Sequence, residues 1–125
     1  MEARKLRYPH LDIALAVSAG WPASIQARCA DHLLRVVLEA FDNARFHGGA
    51  TRIEVALRVL PGGLAEVCVS DDGRGLPELP APLRAGMGLT GMHERAILLG
   101  GRLVLGHRPG GGARARVQFD REVMG

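Results

Sequence analysis

Glu39 and Asn43 lie four residues apart in a stretch otherwise made largely of Leu, Val, Ala and Phe. At about 100° per residue, they and Phe46 fall within about 40° of one line on a helix, with His47 beside them. An amide oxygen one turn from a carboxylate is a hard-oxygen pair suited to a magnesium ion carrying phosphates. The same pattern describes the solvated stripe of an amphipathic helix. Apolar neighbours on both sides lead us to expect that the strip faces something covered. A second group is Val69-Ser70-Asp71-Asp72-Gly73-Arg74-Gly75. An acid at a strand end followed by two spaced glycines lets a flat ligand approach the backbone while the carboxylate accepts a hydrogen bond. An ordinary Asp-Gly turn reads the same way. The third is Gly86-Met87-Gly88-Leu89-Thr90-Gly91-Met92. Backbone N–H groups at a helix start suit an anion such as a phosphate chain, and a surface loop is the alternative. The spacing matches G-x-G-x-x-G, but Pro77, Pro80 and Pro82 occupy the place of a Rossmann strand. No G-x-x-x-x-G-K-[ST] occurs, which excludes a P-loop.

The elements that must hold these groups are readable from periodicity. Residues 11–18 alternate apolar and small side chains and close at Gly20-Trp21-Pro22, as a strand ending in a turn. From Ser24 to about His47 the period is helical, with Leu33, Val37, Ala40 and Ala44 on one apolar line and Leu34, Leu38 and Phe41 beside it. Gly48-Gly49 ends that helix. Residues 51–60 and 64–70 alternate around Pro61-Gly62-Gly63 and predict a hairpin. Residues 71–90 form a Gly- and Pro-rich loop, long enough to suggest a lid. A short helix over 91–99 and two strands, 102–107 and 113–119, complete one domain of about five strands and two or three helices.

Composition narrows the class. The chain has 125 residues, 47 % apolar and 23 % charged, within the ordinary range for a soluble domain with one core. Only 4 % is aromatic, so Ala, Val, Leu and Ile must build that core. No apolar run approaches membrane-spanning length, and no signal peptide is recognisable. The formal charge is +3 and the basic residues are scattered along the chain, without the dense basic helix and interleaved aromatics of a nucleic-acid binder. Cys29 and Cys68 make neither a disulfide framework nor a zinc site and read as small buried hydrophobes in a reducing cytoplasm.

Taken in order, these motifs resemble the GHKL superfamily, which includes histidine kinases, DNA gyrase and mismatch-repair ATPases. Residues 33–47 resemble its N box, Asp71-Asp72-Gly73-Arg74-Gly75 its first glycine box, and Gly86 to Ala96 with Leu99-Gly100-Gly101 its second. Pro109-Gly110-Gly111-Gly112-Ala113 fits the same pattern. The second glycine box is most similar to that of sensor kinases serving NarL-type response regulators. The resemblance is clearest over residues 31–119. It implies an α/β two-layer sandwich of the Bergerat (GHKL) type, a mixed sheet packed against helices, with an ATP lid. It also implies ATP and magnesium as cofactors. Asp71 would bind the adenine amine, and Gly73 and Gly75 would keep the pocket floor open. Asn43 would hold the metal, and Glu39 would order its waters or act as base. His47 would sit near the phosphates, Gly86 and Gly88 would hinge the lid and contact them, and Leu89 would be a further nucleotide-binding residue.

The pattern departs at two places, Phe46 where these kinases usually carry Lys and Ala113 where Thr is frequent. None of His10, His32, His93 and His107 lies in a long dimerising helix. The resemblance therefore implies a cytoplasmic histidine-kinase catalytic domain whose phosphoacceptor His lies on a separate dimerisation domain, with a response regulator as indirect partner. No nucleic acid or membrane contact is expected of it, although the whole kinase could be membrane-bound. The chain is expected to be an excised domain or a short protein acting in trans. A degenerate nucleotide-sensing or docking module, and an anti-sigma-factor-type serine kinase, are the alternative readings.

Overall fold

Alternation of apolar and polar side chains builds a sheet whose two faces differ in character, and helices cover the apolar one. A computed structural model describes residues 2–8, 11–75 and 88–125, with side chains from Leu11 onward. Among the described residues six strands run in the order β1-β2-β3-β4-β6-β5. They are β1 (Glu2–Tyr8), β2 (Leu11–Val17), β3 (Arg52–Leu60), β4 (Leu64–Asp71), β5 (Arg102–His107) and β6 (Ala113–Asp120). Only β2 and β3 pair in parallel. Parallel neighbours need a crossover, and helix α1 (Ala27–Asp42) supplies it. The mixed sheet under helices is the expected two-layer sandwich. The count of about five strands falls one short, because β1 was not foreseen. Its sequence EARKLRY carries charges that break the alternation, and an edge strand tolerates them.

The long helix is also corrected. It starts at Ala27, later than Ser24, and its last turn over Asn43–His47 is π-helical, Gly48 N–H bonding Asn43 C=O at 2.9 Å. Its buried line is Cys29, Leu33, Val36, Ala40 and Ala44, whereas Leu34 and Leu38 remain about half exposed at 55 % and 49 %. The second helix, α2 (Leu89–Leu98), begins two residues before Gly91, with Gly88 as its N-cap. The expected lid falls largely on residues 76–87, Gly86 among them, which lie outside the described residues.

The two helices run antiparallel. Glu39 of α1 meets Gly88 at one end, and Arg95 of α2 donates to His32 Nδ1 at 3.1 Å near the other. Beneath them lie Ile53, Val67, Val69, Val117 and Phe119, with Met124 of a closing 3-10 turn (Arg121–Met124). Both cysteines are free and buried, as expected, and burial pushes the Cys29 thiol up, which keeps it protonated and unreactive. With so few aromatics, Phe119 fills the middle of the core at 1 % exposure. Phe119→Ala should cost about 3–5 kcal/mol in urea unfolding, from lost transfer energy plus the cavity; a loss below about 1 kcal/mol would show that the core closes over the gap.

Candidate active site

A narrow cleft opens between the helices and the inner face of β4, β5 and β6. Its walls are apolar, chiefly Ala40, Val69, Leu89, Met92, Leu105 and Ala115. Two polar side chains reach it, Asn43 from the start of the π turn and Asp71 from the end of β4. Apolar walls with a few placed polar groups are the ordinary make-up of a small-molecule site. Arg114 also borders the cleft, and strand alternation gives its side chain the opposite parity to those of Ala113 and Ala115, which line the same wall.

Asp71 is 7 % exposed. Its Oδ1 accepts from Gly73 N–H at 2.8 Å and, at a longer 3.4 Å, from Ala113 N–H. Among the described residues no donor engages Oδ2. A buried carboxylate with one oxygen fixed by main-chain donors and the other unengaged is an acceptor held ready for a ligand N–H. The loop that carries it leans on the helix end. Arg74 N–H donates to Gly48 C=O at 2.9 Å and Arg74 Nη2 to His47 C=O at 3.1 Å. Gly73 lies so close that a Cβ there would come within 2.6 Å of the Gly48 carbonyl oxygen, so this position requires glycine. Gly75 lies beside His107, and neither Gly73 nor Gly75 is among the residues lining the cleft.

Asn43 and Asp71 therefore share one wall system, and Leu89 joins them from α2. Glu39 does not enter the cleft wall. It is exposed, not covered as its apolar flanks suggested, and its carboxylate lies over Gly88, where a Cβ would come within 2.7 Å of Cδ. Gly88 holds φ +73°. His47 is exposed, with its carbonyl taken by Arg74. Phe46 is 68 % exposed and leaves the Glu39–Asn43 line, because the π turn changes the angular step; Arg45 stacks on it at 5.0 Å and on Phe41 at 5.6 Å. Phe46 is therefore not part of the core. Met92, Leu105 and Ala115 were not anticipated as lining. Their signal was present in the three-residue step from Leu89 and in the alternation of β5 and β6.

Among the described residues no group of three or more His, Cys, Asp or Glu could hold a metal ion. A lone amide oxygen at Asn43 fits magnesium only as one ligand among waters and phosphate oxygens, which is how that ion is commonly carried. No helix among the described residues is long and apolar enough to cross a membrane.

Residues 29–123 match the family described as histidine kinase-, DNA gyrase B- and HSP90-like ATPases. The ATP-binding domain of PrrB from Mycobacterium tuberculosis superposes with a TM-score of 0.71 at 31 % identity, covering 90 % of this chain and 82 % of that one. The nitrate/nitrite sensor protein NarQ of Escherichia coli is 35 % identical over 96 residues, which is 77 % of this chain and 17 % of NarQ. A blue-light-activated histidine kinase from Erythrobacter litoralis shares the fold, with a TM-score of 0.70 at 21 % identity over 86 % of this chain and 37 % of its own. The chain thus spans about a sixth of the length of the NarQ sensors it matches.

The second acid of the Asp71-Asp72 pair has a different job. Asp72 Oδ1 accepts from Thr51 and Arg52 N–H, both at 2.9 Å, and Oδ2 from the Thr51 hydroxyl at 2.7 Å, clamping the start of β3 to the end of β4. Desolvation pushes its carboxyl up, but the Thr51 hydroxyl and the Arg52 and Thr51 amides together outweigh this and hold it below its ordinary value. A depressed folded-state pKa stabilises the fold above the unfolded value of 3.8, and that contribution is lost as pH falls through the folded value. Asp72→Asn should therefore melt at a lower temperature than wild type at pH 7, with the gap narrowing below pH 4. Thermal melts of both proteins at pH 7 and pH 3 check this; a gap of equal size at both would remove the carboxylate charge from the explanation.

Proposed function

Because the chain belongs to the family of histidine kinase-, DNA gyrase B- and HSP90-like ATPases, we propose that it is the ATP-binding catalytic domain of a cytoplasmic sensor histidine kinase module. It would hold ATP in the cleft and deliver the γ-phosphate to a His on a separate dimerisation domain, from which a response regulator is served. The observation that carries this reading is the buried Asp71 carboxylate, fixed through Oδ1 and unengaged at Oδ2. The adenine ring would lie against Val69, Leu89, Met92 and Ala115, with its exocyclic amine donating to Asp71. Adenine is flat and mostly apolar, and an apolar slot with one charged acceptor suits it.

Asn43 would hold magnesium through its amide oxygen, and the bound ion would neutralise charge on the triphosphate. Glu39 lies over the N-terminus of α2, where its carboxylate can orient water or accept a proton. Leu89 and the N–H groups opening α2 face the region that phosphates would occupy, at the favourable end of the helix dipole. Gly86 and Gly88 would serve as hinge, and the exposed His47 would stand at the outer end of the phosphate path. Catalysis of this kind consists of positioning and charge neutralisation. The likeness to NarQ and PrrB supports a sensor-kinase setting.

The two polar residues separate by nucleotide and metal dependence. Asp71→Asn should weaken ATP and ADP alike, by about tenfold to a hundredfold, the worth of a charge-assisted hydrogen bond. Asn43→Ala should instead remove most of the difference in ATP affinity between magnesium and chelator. Calorimetric titration of both folded variants checks the pair. Unchanged ADP affinity in the first, or a wild-type metal effect in the second, would overturn the corresponding assignment.

A further inference from the structure

Both helices pack on the sheet face that carries Val67, Val69 and Val117. Residues of the opposite parity on β3 to β6 form the other face, where five arginines (Arg52, Arg58, Arg102, Arg114 and Arg116) stand against two glutamates. Both glutamates are engaged. Glu54 pairs with Arg52 at 3.0 Å. Glu66, buried at 4 %, accepts from Gln118 Nε2 at 2.8 Å and lies 3.9 Å from Arg58. Asp120, at the end of β6, caps the last turn through Glu122 N–H. Arg102, Arg114 and Arg116 thus have no carboxylate partner among the described residues.

The sheet register gathers these three. Arg114 lies opposite Gly106, Arg116 opposite Val104, and Arg102 opposite Gln118 on the next inter-strand pair. Grouped like charges without counter-charges repel one another. They are nonetheless held down on the sheet. The Nε atoms of Arg114 and Arg116 are buried with no hydrogen-bond partner among the described residues. On β4 they face Ser70 and Cys68, which are 7 % and 6 % exposed although they point away from the helices. Arg114 and Arg116 are their cross-strand neighbours on β6. Stems packed in this way have lost much of their freedom already, so their forks bind a planar anion at lower entropic cost.

We propose that this face docks an acidic segment of a partner protein, whose Asp or Glu carboxylates meet Arg102, Arg114 and Arg116. Arg114 and Arg116 stand about 6.6 Å apart along the strand, the step between alternate residues of an extended peptide. Their planar forks donate paired hydrogen bonds to carboxylates. No Phe, Tyr or Trp occupies this face of β3 to β6, so it offers no platform for stacked bases. The site lies on the side of the sheet away from the nucleotide cleft and does not depend on that reading.

The test is fluorescence anisotropy of a labelled twelve-residue poly-L-glutamate peptide titrated with the chain. Two sets of variants accompany it, Arg114→Gln with Arg116→Gln, and the exposed Arg102→Gln alone in case the double variant fails to fold. A charge-matched control, Arg28→Gln with Arg35→Gln, removes exposed arginines from α1. Saturable binding should weaken about tenfold in the double variant and measurably in Arg102→Gln, stay within about twofold in the control, and fall as salt rises. Absence of saturable binding, an equal loss in the control, or tighter binding to duplex DNA or to phosphatidylserine vesicles under the same conditions would each overturn the proposal.

Discussion

A carboxylate buried at the end of an interior strand is costly unless its oxygens are engaged. Asp71 meets that condition at Oδ1 alone, through main-chain N–H groups from Gly73 in its own loop and from Ala113 on the neighbouring strand. Much of the surrounding structure serves this one placement. The strand β4 is buried along nearly its whole length and cannot shift, and it delivers Asp71 to the cleft without freedom to retreat. Fixing Oδ1 with backbone donors turns the other oxygen into a directional acceptor.

The loop after Asp71 is tied in turn to the far end of α1. Arg74 reaches the carbonyls of His47 and Gly48, and Gly73 packs against Gly48 where no side chain fits. The π turn at Asn43–His47 therefore closes against the same loop that carries the acceptor. Asn43 and Asp71 come from segments nearly thirty residues apart, yet this contact sets their spacing. Asp72 completes the arrangement by clamping the start of β3, so of the adjacent acids one keeps an unengaged oxygen at the cleft and the other is taken up by the fold.

The fold and its polar centre were largely legible in the sequence. Five strands, both helices and the hairpin followed from periodicity, whereas the association of Asn43 with Asp71 in one site was implied by the family resemblance. What was not legible depended on tertiary context. β1 is an edge strand whose charges hide its alternation. Leu34 and Leu38 were placed beside the buried line of α1, but a two-layer fold covers only a limited arc of a helix, and they fall outside it. Phe46 was placed by a 3.6-residue period that the π turn does not keep. The basic residues looked scattered along the chain, because arginines far apart in sequence become neighbours only through strand register.

The central claim is that Asp71 accepts a hydrogen bond from the exocyclic amine of adenine. Comparing ADP with inosine diphosphate on the unaltered chain tests it directly, because inosine carries a carbonyl in place of that amine. With Asp71 as acceptor, calorimetry should show inosine diphosphate binding about tenfold to a hundredfold more weakly than ADP, since the carboxylate would lose its donor and face an oxygen. Equal affinity for the two nucleotides would contradict the assignment.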